Sequence, residues 1–493
     1  MSNISVLNPS KFSREIVYTI FATVFVSVFV LVNLFYGFNL YLYVFCLLFA
    51  SFFIFKKPEV GLYLIIICTA IFERFFTLQS LTINENTYKL YPLDLILLVT
   101  FVSFVFSWWQ RPRKKLVIGS VGIGILVFIL FCLISFAFGL AQGGDTNDAF
   151  STLKNYAFYA VLYFLIVNII NNRARLDRLV KIFLFCGLAL FFFIFYGLIH
   201  GSGLWIEYTP LSTFGTRLLA PTHAFYLSII ILLSINLLAY KRNYFGNLAI
   251  PIILVQILGV IGSLTRHLWL ALGVGVLFSF LFLSRSRKKN LLKIVAIQLF
   301  LLIIVLSLYV WFDYIISGQV PAIADSFIKA TAKRLQSFSV FMEDESASFR
   351  ILAWKEAWQS FRGSPLIGIG FGHKLSFDYF GYPARIQVRN LHNNFIGIAL
   401  QMGILGFLSF ISFNLLFIRR AYRKLKTSNS YFHPYLLGFF ACYLAFLLSA
   451  NFGIYFDINL LVIFFWIILG TIVALDNIKQ PQEKRELTAE QNE

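Results

Sequence analysis

Charge is scarce in this sequence. Only 13% of its 493 residues are charged, whereas 59% are hydrophobic and Phe alone fills 59 positions. A water-soluble chain of this length needs far more polar residue to cover its surface, so a soluble globular class is excluded and lipid is the expected solvent. Acidic residues are the scarcer sign, with 22 Asp and Glu against 41 Lys and Arg and a formal net charge of +19. In a soluble protein that excess would raise nucleic acid as a partner. Here the basic residues cluster in short links between apolar runs, as in loops held on the cytoplasmic side of a membrane, and no nucleic-acid partner is expected. Cysteine is also rare. Cys46, Cys68, Cys132, Cys186 and Cys442 all lie inside apolar runs, without paired or metal-like spacing, and read as small buried hydrophobes. No Asp-x-Asp pair and no His or carboxylate cluster stands at ligand spacing, so neither a metal nor a cofactor is expected. The first apolar run is followed almost at once by a second, so it reads as a span rather than a cleaved leader. There is no convincing internal repeat.

What the sequence has in abundance is long apolar runs. A helix needs about 20 apolar residues to cross the hydrocarbon core. Fourteen runs are candidates: 16–35, 38–55, 60–72, 92–109, 117–140, 155–171, 179–199, 222–240, 247–264, 268–284, 291–314, 392–418, 432–450 and 454–475. The 60–72 run is short enough to be re-entrant, so twelve to fourteen spans are expected. The fold class is therefore all-α, a polytopic transmembrane helix bundle. Its expected divisions are N-terminal spans (1–209), core spans with outer-face arginines (210–314), a large loop (315–391), C-terminal spans (392–476) and a polar, disordered tail (477–493).

Basic residues alternate from link to link. Those after even-numbered spans, together with both chain ends, hold 27 of the 41 Lys and Arg, whereas the short odd-numbered loops hold only Arg74, Lys89, Lys154, Arg217 and Arg266. The alternation places both termini inside and the long loop outside. Within that loop, residues 346–362 read as an amphipathic helix: Phe349, Ala353, Trp354, Ala357, Trp358 and Phe361 recur at helical spacing. Ser346 or Ser348 is placed to cap it, Gly363-Ser364-Pro365 stops it, and its two tryptophans suggest a helix lying at the membrane surface. A second helix is expected over 322–339, and Glu343-Asp344-Glu345 reads as a solvated turn.

Three small groups on or near the outer face are candidates for chemistry: His392-Asn393-Asn394, Thr265-Arg266-His267, and Arg217 in the segment running from Phe214 to His223. Each has an ordinary explanation. A histidine at a helix start can simply bond a carbonyl, a lone outer arginine can be solvated or snorkelling, and Gly403 and Gly406 can serve only close helix packing. Their convergence on one face, the face of the long loop, argues for a site.

These residues carry a resemblance. His392-Asn393, nine residues, then Gly403-Ile-Leu-Gly406 resembles the His-Asn-x9-Gly-x-x-Gly signature of bacterial O-antigen ligases. Arg266-His-Leu-Trp-Leu270 fits the Arg-x-x-x-Leu element of those enzymes, and Arg350-Ile-Leu-Ala-Trp354 through Ser364-Pro-Leu-Ile-Gly-Ile-Gly-Phe-Gly372 resembles the stretch preceding the histidine. Arg217 departs from the pattern, because Pro221 stands four residues later instead of Leu. The superfamily includes O-antigen ligases, O-antigen and exopolysaccharide polymerases and some protein O-oligosaccharyltransferases. It implies an enzyme of the bacterial inner membrane that moves a glycan from undecaprenyl diphosphate to an acceptor hydroxyl. The acceptor is the lipid A core in ligases and another lipid-linked glycan in polymerases. On that reading Arg266 and Arg217 meet the diphosphate, His392 serves the acceptor hydroxyl as base or as orienting group, and Asn393, His267, Arg350 and Arg389 bind substrate. The glycine spacing leans towards the ligase. The rival from another class is a lipid-linked glycan flippase or transporter, for which charged or broken spans in matching halves are expected. Charges here avoid the span interiors and the halves are unlike.

Overall fold

All fourteen apolar runs are helical in the computed structural model, which describes residues 13–79, 81–83, 86–88, 91–110, 115–200, 217–317, 345–378, 385–428 and 431–478. The 322–339 helix, Glu343 and Asp344, and nearly all of the 477–493 tail lie outside the described residues, as does the Ser346 side chain. The helices are α1 (Arg14–Tyr36), α2 (Leu40–Lys56), α3 (Pro58–Ile67), α4 (Pro92–Trp109), α5 (Gly119–Ala141), α6 (Thr146–Leu153), α7 (Val161–Ile169), α8 (Arg173–Ala189) and α9 (Phe191–His200). They continue as α10 (Pro221–Ala239), α11 (Ala249–Gly262), α12 (Arg266–Phe282), α13 (Arg285–Ser317), α14 (Glu345–Gly363), α15 (Asn394–Thr427), α16 (His433–Ala450) and α17 (Asn459–Asn477). Two short antiparallel hairpins, Leu81–Ile83 with Asn86–Tyr88 and Leu375–Phe377 with Ile386–Val388, are the strands among the described residues.

Among those residues, nine helical stretches are long and apolar enough to cross a membrane, and four further apolar helices span 10–17 residues. This is a multi-pass membrane protein. Helices dominate because each satisfies its own backbone polar groups where no water is present. Proline opens α3, α4 and α10 at a position whose missing N–H costs nothing.

The chain forms two units. The first comprises Met1–Leu116 and Ala174–Cys186. In it the buried Glu59 pairs with Arg175, and Glu15 pairs with Lys57 at 3.4 Å. The second comprises Val117–Arg173 and Gly187–Glu493. In it α10 and α17 are apolar all round and buried almost all round, which marks them as the bundle centre. Helix α16 runs antiparallel to α10, since Phe446 packs on Phe225 while His433 meets Tyr240. The helix starts of α10, α12 and α15 therefore share one end of this unit with the α16–α17 turn, and every candidate site residue lies there or in the segments leading to it.

Helix α15 is broken. Gly403 has φ = +64°, ψ = −171°, which interrupts the helix within its apolar part. The freed groups are satisfied by the chain after α14. Ile369 and Gly370 donate to the Leu400 and Gln401 carbonyls at 2.9 and 3.0 Å, and Ile404 and Leu405 donate back to Pro365 and Leu366 at 2.9 and 3.3 Å. A side chain at Gly403 would collide with the Leu366 carbonyl, and one at Gly370 with the Gly139 backbone. The glycine-rich stretch 364–372 is thus an irregular segment, exposed at Pro365, Leu366 and Ile367 and buried at Gly368 and from Gly370 to Gly372, whose backbone partners are supplied by protein.

The amphipathic α14 appears where its periodicity placed it, but its apolar face packs on protein. Phe349, Ala353, Ala357 and Phe361 join Leu375, Phe377, Leu391 and Leu400 in one cluster. Trp354 turns inward and donates its Nε1–H to the Leu391 carbonyl at 2.9 Å; only Trp358 is exposed. Of the two tryptophans that suggested a helix lying at the membrane surface, Trp354 is instead spent on the folded loop, whose Leu391 carbonyl takes its N–H.

Candidate functional site

Helices α11 and α12 are joined by Ser263-Leu264-Thr265 alone. The reversal forces Leu264 to φ = +52°, and the Ser263 and Thr265 hydroxyls close the turn on the Val260 and Ser263 carbonyls at 2.7 and 3.1 Å. Arg266 and His267 therefore start α12 in a fixed orientation. The segment holding Arg217 docks on the same turn, because Leu218 N donates to the Gly262 carbonyl at 2.9 Å. Two arginines far apart in sequence are thereby tied to one backbone feature.

His392 immediately precedes α15. Its φ of +52° is uncommon for a side-chain-bearing residue, costs of order 1–3 kcal/mol and persists only where its surroundings enforce it. In this site they do. The Asn393 side chain caps the helix, accepting from Phe395 N and Ile396 N at 3.0 and 3.1 Å. Asn394 donates to Asp457 Oδ2 at 2.8 Å and accepts from Phe456 N at 3.2 Å. Trp354, through the Leu391 carbonyl, holds the residue before His392. The imidazole is thus presented by three fixed neighbours. Burial, and then the nearby Arg350 guanidinium, hold it below the ordinary histidine value of 6.5, so the ring is neutral at pH 7.

The groups converge on His267. Its Nε2 hydrogen-bonds the Tyr455 hydroxyl at 2.9 Å, and Arg350, His392, Arg217 and Arg266 all stand within electrostatic reach of the ring. The structure thus gathers three arginines and two histidines, from four separate stretches of chain, around one point.

Two expected binders are occupied otherwise. Asn393 uses its carbonyl for the helix cap. Arg389 is clamped to Asp148 at 2.8 Å and to Thr152 Oγ1 at 2.9 Å, and Lys374 joins Asp148 at 3.0 Å. That cluster ties the Leu375–Phe377/Ile386–Val388 hairpin to α6, so the guanidinium of Arg389 anchors the loop beside the site.

Sequence reasoning missed Tyr455 and Asp457. Both lie in the short turn between α16 and α17, and each holds one motif: Tyr455 holds His267, and Asp457 holds Asn394. Asp457 also accepts from Tyr156 at 3.2 Å through Oδ1, and from Asn155 at 2.6 Å through its carbonyl. Burial pushes its carboxyl up, while Arg389, Tyr156 and Asn394 pull it down. The signal was present. The 454–475 run contains a carboxylate at Asp457, and an acid at membrane depth is a functional candidate by default; charge does not avoid every run. Helix α17 starts only at Asn459, so the acid lies in the turn.

Residues 251–411 match the family model for O-antigen ligase. That match, over part of the chain, supports the O-antigen ligase/polymerase superfamily. Its members are glycosyltransferase-type enzymes. The match takes in Arg266, His267, Arg350, Arg389, His392 and Asn393 and leaves Arg217 outside. Arg217 joins the other candidates by position alone, through the docking of its segment on the Gly262 turn. No curated protein matches the chain. Among the described residues no group of three or more His, Cys, Asp or Glu is placed to hold a metal. The break in α15 tempers one argument against a transporter, since broken helices are a transporter feature. This break, however, has its backbone groups filled by residues 365–370, which leaves none of those groups to coordinate a cargo.

Proposed function

We propose that the protein is a ligase-type glycosyltransferase of the bacterial inner membrane. It moves a glycan from undecaprenyl diphosphate to a hydroxyl of the lipid A core, on the outer face where the basic alternation places this end of the bundle. The observation that carries the reading is the convergence of Arg217, Arg266 and Arg350 with His392 around His267.

The acceptor oxygen attacks the anomeric carbon of the sugar, and the bond from that carbon to the diphosphate oxygen breaks. The hydroxyl proton passes to the neutral His392, and the lipid diphosphate leaves with the bonding pair. Arg266 and Arg217 meet the charge that develops on the diphosphate, and guanidinium forks match its oxygens in pairs. Burial, and then Arg350, keep His392 neutral and so able to accept the proton. The arginines supply the positive charge directly, so the reaction is written without a metal.

A polymerase would use the same donor site and differ only in its acceptor. The break at Gly403 gives the glycine spacing a folding role, so it does not select between the two. Purified protein is to be given a polyprenyl-diphosphate-linked glycan, chelator, and either lipid A core or excess lipid-linked repeat units. A single product on lipid A core supports the ligase. A ladder of longer lipid-linked chains overturns it in favour of the polymerase. An intact donor with both acceptors refutes both readings.

A further inference from the structure

The end of the second unit opposite His392 gathers arginine on aromatic rings. The guanidiniums of Arg173 and Arg242 each lie 4.1 Å from the centroid of the same ring, Tyr431. They are therefore at most twice that distance apart. Arg173 also reaches Phe432 at 5.4 Å and Arg242 reaches Tyr435 at 5.3 Å. A third guanidinium, Arg287, lies 3.9 Å from the Tyr240 ring, whose hydroxyl shares a hydrogen bond with His433 Nδ1. Three connectors that are far apart in sequence converge at this end.

Basic links at the end of a membrane bundle are ordinary when they splay into water. These are folded down onto rings, two on one ring, and like charges so held repel each other. Among the described residues neither Arg173 nor Arg242 makes an ion pair. Asp476, near the end of α17, is already taken by Arg420 at 2.6 Å and Lys424 at 3.1 Å. A guanidinium stacked on a ring keeps its N–H edge for an acceptor, and the acceptor that fits paired forks is a phosphate oxygen.

We propose that Arg173 and Arg242, on their shared Tyr431 platform, bind the phosphodiester headgroup of an acidic phospholipid, with Arg287, whose guanidinium hydrogen-bonds the Tyr240 hydroxyl, adding positive charge beside them. The source is the bilayer, because the cluster lies at the helix ends, where the interface runs. Exposed Leu281 and Leu292 on the adjoining ends of α12 and α13 give the acyl chains an apolar surface. The site is distinct from the transfer site and does not depend on its chemistry.

The test uses the full chain in nanodiscs of phosphatidylcholine with a minority of phosphatidylglycerol, released into native mass spectrometry to count retained lipids. Wild-type protein is expected to retain phosphatidylglycerol over phosphatidylcholine. Arg173→Gln with Arg242→Gln is expected to weaken that preference roughly fivefold per arginine. Tyr431→Leu should weaken it too, while Tyr431→Phe, which keeps the ring, should not. Arg173→Lys with Arg242→Lys keeps the charge and loses the fork; a partial loss of preference in that variant supports the site even if the glutamine variant fails to fold. Undiminished phosphatidylglycerol retention in the glutamine or leucine variants would overturn the proposal. Displacement of phosphatidylglycerol by equimolar inorganic phosphate would overturn the lipid source and assign the arginines to a soluble anion.

Discussion

His392 is held in a left-handed backbone conformation by an asparagine cap on one side and a tryptophan-bound carbonyl on the other. That much fixing suits a side chain that must meet a reacting proton. Replacing it with alanine should reduce transfer by about 10²–10⁴-fold with membrane insertion unchanged, read from initial rates on detergent-purified protein. Burial and Arg350 keep its folded value below 6.5. The neutral form therefore persists as pH falls past 6.5, and the acid limb of the pH–rate profile is expected below that value. Arg350→Ala should move the limb upward, towards the ordinary histidine value. A limb that stays put in that variant would mean that Arg350 does not tune His392. Tyr455→Phe deletes one hydroxyl from His267 and should lower the rate several-fold, the worth of about 1 kcal/mol for one hydrogen bond, with little change in KM. Arg266, His267, Arg350 and His392 could be named from sequence because motif spacing survives in the chain. Tyr455 and Asp457 could not be placed, since their importance comes from a turn that only folding brings against α12 and α15.

Among the elements, the broken α15 and the 364–372 segment form one device. Each supplies the hydrogen-bond partners that the other lacks, and the joint sets the first turns of α15 beneath His392. Gly403 combines a φ of +64° with a carbonyl where its side chain would go. Gly403→Ala should therefore lower the thermal unfolding midpoint clearly, since its φ and ψ lie in a region essentially reserved for glycine, which costs another residue about 1–3 kcal/mol. Gly273→Ala on α12, where nothing lies within 4 Å, should be neutral or slightly stabilising. Equal effects at the two positions would contradict the interlock. Hydropathy located α15 and periodicity located α14, because both signals are local. Neither shows a helix interrupted by another segment, because the compensating hydrogen bonds come from residues more than thirty positions earlier.

At the scale of the whole molecule, alternating basic links argue that the transfer site faces outward. All five cysteines are buried, so an introduced thiol can be labelled with little background. Arg385→Cys, in the exposed loop next to the site, should react with a membrane-impermeant maleimide added outside intact cells. Thr427→Cys, at the far end of α15, should react only after the cells are opened. The reverse pattern would place the site in the cytoplasm. Helix positions were legible because lipid demands long apolar helices; against twelve to fourteen expected spans, nine stretches among the described residues are long and apolar enough to cross. Convergence on one face was legible too; the meeting of the arginines around one point was not, because it depends on Leu218 docking on the Gly262 turn.

If the gathered arginines and His392 perform the transfer, removing one of them must stop the chemistry and spare the fold. The decisive quantity is the rate of glycan transfer from polyprenyl diphosphate by Arg266→Ala and by His392→Ala, each confirmed as inserted by labelling at Arg385→Cys. Both variants are expected to insert normally and to lose transfer. Transfer at the wild-type rate by either one would show that the chemistry lies elsewhere.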